Sequence, residues 1–243
     1  MSNFMKTVGI IGFGSFGKFL AEQLDRHAEV RVFSYSGKPN GWKASLEDVA
    51  CSDYVILAVP LESYESVLTD LRPNIPPSTI LVDVCSVKQK PIEVIRKLLP
   101  KQLLAATHPL FGPQTADSLA GEVLVVCPEV SDKKAMKEIE SLAVQFKLKI
   151  TRMSAEEHDR EIAVVQGLAF FIARILKDNK LHEQKLSTPS FRRLLHLAEL
   201  EEHHSDELFY TIQSGNRFTS EIRRAFIDEA LRLQDEIRVQ TEK

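Results

Sequence analysis

The chain has 243 residues, and its formal net charge at neutral pH is −3. This length allows one large domain or two small ones, and the slightly acidic balance argues against nucleic-acid binding through bulk electrostatics. No apolar run approaches the roughly 18 residues of a membrane span, and the amino-terminal residues do not have the pattern of a signal peptide. The three cysteines are scattered without metal-ligand spacing, which predicts reduced thiols, no metal site and a cytoplasmic protein.

The first part of the chain alternates short apolar runs with segments of helical periodicity. This alternation predicts an α/β fold with a mostly parallel sheet that helices cover on both faces. The strand-like runs occupy 7–11, 30–33, 54–59, 80–84, 103–107, 122–127 and 148–152. The helical segments occupy 16–26, 62–71, 91–99 and 133–146.

The strand pattern stops after Met153, and the remaining residues are predicted to be helical. Ser154–Glu157 has the spacing of a capping box, which marks the start of a helix. A break over 185–190 separates this helix from later ones. The later helical patterns occupy about 191–202, 206–213 and 216–239. We therefore predict a dinucleotide-binding α/β domain over 1–153 and an all-α domain over 154–243.

Two apolar stripes run along the predicted helices of the second domain. The first comprises His158, Ile162, Val165, Ala169, Ile172 and Leu176. The second comprises Phe218, Ile222, Phe226, Ala230, Leu233 and Ile237. A helical unit of this size buries little apolar surface by itself, so the long second stripe predicts a homodimer formed through the helical domain. A monomer whose helices cover only their own sheet is the alternative.

Gly12, Gly14 and Gly17 form a G-x-G-x-x-G pattern between a predicted strand and a predicted helix. In this context the first glycine permits a tight turn, the second lets the backbone approach phosphates, and the third lets helix and strand pack closely. The pyrophosphate of a dinucleotide would then lie at the amino terminus of the helix. The other residues assigned to the cofactor site are Ser15, Phe16, Val59, Pro60 and Cys85.

The end of the second predicted strand indicates which dinucleotide binds. An NAD-selective site would place Asp or Glu after Phe33, but the chain has Ser34 there, followed by Ser36 and Lys38. Two hydroxyls and a cation suit a 2′-phosphate, which a carboxylate would repel. The pattern favours NADP, and NAD bound without an acidic contact is the alternative.

Two polar motifs follow later strand-like runs. Ser86-Val87-Lys88 follows one run, and His108 opens the hexapeptide His-Pro-Leu-Phe-Gly-Pro after another. Groups just past the strand ends of an open α/β sheet face the ligand crevice, so we expect Ser86, Lys88 and His108 to converge there as catalytic residues. His108 is the candidate general base, because the pKa of an imidazole lies near the operating pH. Ser86 would orient the imidazole or a substrate hydroxyl.

These motifs resemble those of the prephenate and arogenate dehydrogenases of tyrosine biosynthesis. The matching segments are Ile11–Gly17, Val82–Lys88, Thr107–Pro113 and Ala155–Arg160. The resemblance implies oxidative decarboxylation, in which hydride passes from the hydroxyl-bearing ring carbon to a nicotinamide and the ring carboxylate leaves as CO2. It also implies that His158 lies near the substrate, and Gln166 on the same predicted helix is a further candidate. The alternative for His158 is a core histidine hydrogen-bonded to a neighbour.

The resemblance also bears on the small-molecule substrate. Prephenate-type members carry an arginine for a substrate carboxylate at a position that falls near Leu200 or Glu201 here. This stretch contains Glu199, Glu201 and Glu202 and no arginine. A carboxylate repels the keto acid side chain of prephenate but pairs with the ammonium of arogenate, so we expect arogenate as substrate and Glu201 as its contact. The candidates for binding the substrate carboxylates, or alternatively surface cations, are Arg192, Arg193 and Arg217.

Several other functions share part of this pattern. Prephenate or 4-amino-4-deoxyprephenate would be an alternative substrate within the same family. A β-hydroxyacid dehydrogenase or a pyrroline-5-carboxylate reductase would share the glycines and the helical half, but would not explain His108 together with Ser86. A non-enzymatic NADP-binding regulator would not need Ser86, Lys88 and His108 together. Glu201 as a solvated helix residue would leave the substrate choice unexplained.

Overall fold

The computed structural model describes residues 6–114, 118–202 and 204–241. The chain divides into two compact units, Met1–His158 and Asp159–Lys243. The strands of the first unit are β1 (Thr7–Ile11), β2 (Glu29–Phe33), β3 (Tyr54–Leu57), β4 (Ile80–Asp83), β5 (Leu103–Pro109), β6 (Val123–Val126) and β7 (Lys149–Arg152). Its helices are α1 (Ser15–Leu24), α2 (Leu46–Ala50), α3 (Tyr64–Leu71), α4 (Gln89–Leu98) and α5 (Lys133–Gln145).

The described strands form one seven-stranded sheet in the order β2-β1-β3-β4-β5-β6-β7. All neighbouring strands run parallel except β5 and β6, which are antiparallel and place His108 opposite Val125. The predicted α/β fold with a mostly parallel sheet is confirmed. The strand order reverses direction between β1 and β3, and ligands of such sheets bind outside the carboxyl ends of the strands at this reversal.

The sheet is buried on both faces by helices, as its nearly continuous apolar strands require. Successive side chains of a strand point to opposite faces, so Ile10 belongs to one apolar core and Ile11 to the other. The first core includes Phe19 of α1 and Ile139 of α5, and the second includes Leu68 of α3 among other helical residues. Burying one such side chain stabilises the fold by about 1.5–3 kcal/mol. The two cores therefore hold the strand ends, and the loops that follow them, in fixed positions.

The turn from β1 to α1 depends on its glycines. Gly12 has a φ of 109°, and a Cβ at this position would lie 2.2 Å from the Ala58 carbonyl oxygen. A Cβ on Gly17 would lie 2.2 Å from the carbonyl oxygen of Gly12. A Cβ on Gly14 would have no neighbour within 4 Å. The turn is therefore packed against the ends of β1 and β3, with open space only at Gly14.

Trp42, the one tryptophan of the chain, lies beside this turn. Its indole Nε1 donates a hydrogen bond of 2.6 Å to Asp25 just after α1, and its ring centroid lies 6.2 Å from that of Phe13. Its backbone carbonyl accepts a hydrogen bond from Val32 of β2 at 2.7 Å. The indole is thus fixed between the end of α1, β2 and the glycine turn.

The helix at the boundary between the units begins as the sequence predicted. Ser154 accepts a hydrogen bond from the Glu157 amide at 3.1 Å, and the Glu157 carboxylate accepts one from the Ser154 amide at 2.8 Å. This is the capping box, and it is confirmed. The helices from here on are α6 (Ala155–Ile162), α7 (Ala169–Asp178), α8 (Pro189–Glu202), α9 (Asp206–Gly215) and α10 (Thr219–Thr241).

A π-helical turn, Ala163–Leu168, joins α6 to α7. The predicted apolar stripe fails here, because Ile162 is 4% exposed whereas Val165 is 62% exposed. A π-turn has hydrogen bonds between residues five apart, so the side chains after it are rotated relative to an α-helical stripe. In the second unit, Gln213 Nε2 donates to the Gly167 carbonyl at 2.7 Å, and Thr219 packs against Gly167.

Most of α10 lies exposed beyond its buried first residue, Thr219. Its exposed large apolar side chains are Phe226, Ile227, Leu231, Leu233, Ile237 and Val239. Arg232 forms ion pairs along the same helix with Glu229 and Glu236. In the described ranges, none of the helices has the length and apolar character needed to cross a bilayer.

The glycine turn gives a matched test of packing. We expect Gly17→Ala to lower the free energy of unfolding by about 1–3 kcal/mol, because its Cβ would meet backbone. Gly14→Ala is the control, and because its φ of −70° suits alanine, its stability should stay within about 0.5 kcal/mol of the native chain. Denaturant unfolding of both variants measures the difference. Equal destabilisation would contradict the packing described for this turn.

Candidate active site

The first unit brings two histidines together near the carboxyl end of β5. His108 is 3% exposed, and its Nδ1 lies 2.9 Å from Nε2 of His158, which is also buried. The two rings are inclined by 74°. Both histidines are candidates from the sequence, but their contact is not predictable from it, since 50 residues separate them in the chain. The partner of His108 is therefore the His158 imidazole, whereas the sequence suggested that Ser86 binds either the His108 imidazole or a substrate hydroxyl.

The antiparallel strand β6 explains how His158 reaches β5. After pairing with β5, the chain continues from β6 to Glu129, whose carboxylate accepts a hydrogen bond from the Ala155 amide at 2.5 Å. This bond and the capping box fix the first turn of α6, where His158 lies. The position of His158 thus follows from the path of β6 and from the caps of α6.

The surroundings of His108 keep its imidazole in the neutral form. Burial lowers the pKa of His108 well below its ordinary value, and the nearby His158 and Lys88 lower it further. The imidazole is therefore neutral at neutral pH, with one nitrogen that donates and one that accepts. If His108 Nδ1–H donates to His158, the lone pair of His108 Nε2 is available for a substrate proton.

The sequence predicted that the Lys88 side chain faces the ligand crevice, but the structure buries it. It is 0% exposed, and its Nζ donates to the Asp83 carboxylate and to the Thr107 carbonyl, the latter at 2.6 Å. A buried ammonium must be paired and hydrogen-bonded, because the desolvation of a charge is costly. Lys88 is thus turned into the protein behind His108 and does not face solvent. Asp83 was not singled out, although a carboxylate that ends an apolar strand-like run was a signal.

Asp83 joins four segments of the first unit. Its Oδ1 accepts hydrogen bonds from Tyr64 Oη at 2.8 Å and from the Cys85 amide at 3.1 Å, and its carbonyl accepts one from Thr107 Oγ1 at 2.8 Å. Burial, with the neighbouring Asp83, raises the pKa of Tyr64 well above its ordinary value. Tyr64 therefore stays protonated and acts as a hydrogen-bond donor to the carboxylate.

Within the motif Ser86–Lys88, the serine is the accessible member. Ser86 is half-buried, and its hydroxyl makes no hydrogen bond to a described residue. Cys85 and Val87 on either side of it are buried. The Ser86 hydroxyl is therefore the group of this motif that is placed to meet a ligand.

The residues around the glycine turn fit a dinucleotide. The N-cap of α1 is Gly14, which provides no side-chain cap, and the first turn has no acidic residue, so its amide groups are open to an anion. Gly14 and Ser15 are exposed, and space for a phosphate is left where a Gly14 Cβ would be. Val59 lies against Gly12, so the end of β3 forms one side of this region, and Pro60 beside it is exposed.

The hexapeptide after His108 reaches the same region. Phe111 packs edge-on against Phe19 of α1, with ring centroids 6.4 Å apart. A Cβ on Gly112 would lie 3.8 Å from the ring of Phe16. The His108 motif and the start of α1 are therefore neighbours.

The loop after β2 carries the residues expected to select NADP. Ser34 Oγ accepts a hydrogen bond from the Gly37 amide at 2.8 Å, which shapes the loop, while Ser36 and Lys38 are exposed. Tyr35 Oη donates to Asp70 at 2.5 Å, and burial together with Asp70 raises the pKa of Tyr35 to about 12. The carboxylate of Asp70 is thus engaged by a tyrosine, and no acidic side chain follows β2 directly.

In the second unit, Glu201 has an internal partner. It is 0% exposed, and its carboxylate binds Arg174 Nε at 2.9 Å and His204 Nδ1 at 3.2 Å. Arg174 also binds Asp206 at 2.9 Å and lies over the ring of Phe209. The sequence predicted Glu201 to be a contact for the substrate ammonium or a solvated residue, and its burial against the half-buried Arg174 guanidinium fits neither description. Arg174 was missed because it lies inside an apolar helical pattern.

The other candidates of the second unit are dispersed. Gln166 lies in the π-helical turn, and its Oε1 is buried without a hydrogen bond to any described residue. Arg192, exposed, lines a surface cleft of about 560 Å³ between α7 and α8. Arg217 is exposed and lies over the Phe218 ring, and Arg193 is exposed as well. These side chains do not form one cluster around Glu201.

Comparison with known proteins agrees with these features. Residues 39–152 match the family model described as prephenate dehydrogenase, nucleotide-binding domain. The chain is 30% identical over 221 residues to arogenate dehydrogenase 2, chloroplastic, of Arabidopsis thaliana, covering 84% of this chain and 62% of that protein. It is 24% identical to a probable arogenate/prephenate dehydrogenase of Methanocaldococcus jannaschii, covering 79% of this chain and 45% of that protein. The chain thus spans less than two thirds of these curated relatives.

The fold of the chain is also similar to that of a solved structure. A crystal structure of prephenate dehydrogenase from A. aeolicus, in complex with hydroxyphenyl propionate and NAD+, superposes with a TM-score of 0.75 at 22% identity, covering 100% of this chain and 94% of that one. At this identity the superposition shows a shared fold. The nucleotide-binding part of the chain belongs to the prephenate/arogenate dehydrogenase family.

Proposed function

We propose that the protein catalyses the oxidative decarboxylation of arogenate to tyrosine with NADP as the cofactor. The observation that carries this proposal is the buried His108, held by His158 at the end of β5 next to a glycine turn that fits a dinucleotide. A neutral imidazole in this place can remove a hydroxyl proton. The names of the relatives support a dehydrogenase of arogenate or prephenate.

In the proposed reaction the cofactor accepts the hydride, and the side chains move the proton. The bound oxidised nicotinamide supplies the acceptor for the hydride that leaves the hydroxyl-bearing ring carbon. His108 Nε2 takes the proton of that hydroxyl, while the hydrogen bond between His108 Nδ1 and His158 Nε2 holds the ring in place. When the bond to the ring carboxylate breaks, CO2 leaves and its electron pair completes the aromatic ring. The proton on His108 then returns to the phenolic oxygen, and the base is regenerated.

Ser86 has a supporting role in this scheme. Its half-buried hydroxyl follows β4, next to the strand that carries His108. A hydroxyl can both donate and accept, so Ser86 is placed to orient the substrate oxygen towards the imidazole. Lys88 does not contact substrate in this scheme, because its ammonium is buried against Asp83.

The choice of NADP rests on the loop after β2. Ser34, Ser36 and Lys38 offer hydroxyls and a positive charge, and the chain has no Asp or Glu at the end of β2 to bind a ribose 2′-hydroxyl. The loop carries the exposed Lys38 where a 2′-phosphate would need a counter-charge. NAD is the alternative cofactor.

The choice of arogenate rests on two observations. The relative at 30% identity is an arogenate dehydrogenase, and the last turn of α8 has no arginine to bind the keto acid of prephenate. Glu201 does not support the choice in the way the sequence suggested, because its charge is balanced by Arg174. Prephenate is the alternative substrate, and Arg192, Arg217 and Gln166 remain candidates for substrate contacts.

We also propose a homodimer formed through α10, in the cytoplasm. The apolar residues of α10 from Phe226 to Val239 are exposed in the single chain, and a second copy would cover them. Cys51, Cys85 and Cys127 form no disulfide, which suits a reducing compartment. We expect neither nucleic acid nor a membrane as a partner.

The activity itself is the first test. Purified protein should reduce NADP when arogenate is added, and should release tyrosine and CO2. The assay compares arogenate with prephenate and NADP with NAD, following cofactor absorbance and the product.

His108→Asn should bind cofactor normally but turn over about 10²–10⁴-fold more slowly, because the base is lost. No turnover in any combination would refute the proposed function, and a fully active asparagine variant would refute the role of His108.

A single substitution in the loop after β2 tests the preference for NADP over NAD. Ser34→Asp places a carboxylate where the 2′-phosphate would lie, so it should weaken NADP binding far more than NAD binding. Binding constants for both dinucleotides, measured by titration, give the ratio. Asp70→Asn is the control, because it removes a carboxylate already engaged by Tyr35 and should change the ratio much less. A native protein that already prefers NAD would show that this loop does not select NADP.

A further inference from the structure

The burial of Lys88 needs an explanation beyond packing. An ammonium with 0% exposure is costly to desolvate, and a buried ion pair is often no more stable than an apolar pair of the same size. The pair formed by Lys88 and Asp83 is nevertheless placed directly behind His108. Its ammonium donates to the carbonyl of Thr107, the residue before His108 in β5.

The charges around His108 come from several elements. Lys88 precedes α4 and contributes a cation, and His158 on α6 contributes a second imidazole in contact with the first. Asp83 at the end of β4 is the negative group, but its carboxylate is shared with Tyr64 of α3, which is protonated, and with the Cys85 amide. The Lys88 ammonium disfavours a positive charge on His108, while the Asp83 carboxylate that pairs with Lys88 also accepts hydrogen bonds from Tyr64 and the Cys85 amide.

We propose that Lys88 is a positioning residue for His108: its buried ammonium fixes the Thr107 carbonyl and keeps His108 neutral at neutral pH. The catalytic use of this neutral state rests on the proposed function, whereas the protonation state itself does not. In this proposal His108 contacts the substrate. Lys88 lies on the buried side of His108 and controls its protonation state. This role explains why the motif Ser-Val-Lys carries a lysine that no ligand can reach.

Histidine titration by NMR tests this without any substrate. In the native protein the His108 signal, assigned by its loss in His108→Asn, should keep the neutral form to a pH well below the ordinary histidine midpoint, since burial and a like charge lower a histidine pKa. In Lys88→Gln, which retains hydrogen-bonding groups, the midpoint should rise by about one pH unit or more. Lys90→Gln is the matched control, because this exposed lysine in the first turn of α4 should leave the midpoint unchanged.

The pH profile of kcat/KM is the second measurement. Its acid limb should move to higher pH in Lys88→Gln by the same amount as the NMR midpoint, and stay in place in Lys90→Gln. If Lys88→Gln does not fold, the double variant Asp83→Leu with Lys88→Met removes both charges and keeps an apolar pair, and its midpoint should also rise. A native His108 that titrates at the ordinary histidine value, or a folded variant whose midpoint and acid limb do not move, would overturn the proposal. Absence of turnover in the native protein would refute the proposed function and leave the titration as an independent result.

Discussion

The carboxylate of Asp83 lies at the end of β4 without exposure to solvent, and it is stabilised there by the Lys88 ammonium and by hydrogen bonds from Tyr64 and the Cys85 amide. Removing one partner of a buried ion pair leaves an uncompensated charge, which typically costs about 3–5 kcal/mol. The positions of β4, β5, α3 and the start of α4 are therefore coupled through one side chain. His108 takes its place from the same group of contacts, because Thr107 beside it is bound to both Asp83 and Lys88.

Most of the fold could be predicted because its strands are apolar runs and its helices are amphipathic. The capping box at Ser154 fixed the start of α6 from four residues alone. The helix α2 was missed because it has only five residues, although Ser45 and Asp48 form a second capping box. The antiparallel direction of β6 could not be predicted, since an apolar run of four residues does not encode the direction in which it pairs.

The chemical groups of the site were easier to predict than their surroundings. His108 and His158 were both candidates, but a contact between residues this far apart in the chain depends on how β6 and α6 fold back. Lys88 and Glu201 were expected to face ligand or solvent, because charged side chains are seldom fully buried without a partner. Their partners, Asp83 and Arg174, lie within apolar patterns, where sequence periodicity gives no reason to look for a charge.

The position of Trp42 has a practical consequence for optical spectroscopy. As the one indole of the chain, held by Asp25 against Phe13 of the glycine turn, it gives a fluorescence signal that comes from this single place. A dinucleotide at the turn would change the polarity around the ring, and a reduced nicotinamide would quench its emission by energy transfer. Dinucleotide binding at the glycine turn can therefore be measured by tryptophan fluorescence in the unlabelled protein, even in variants that have lost all turnover.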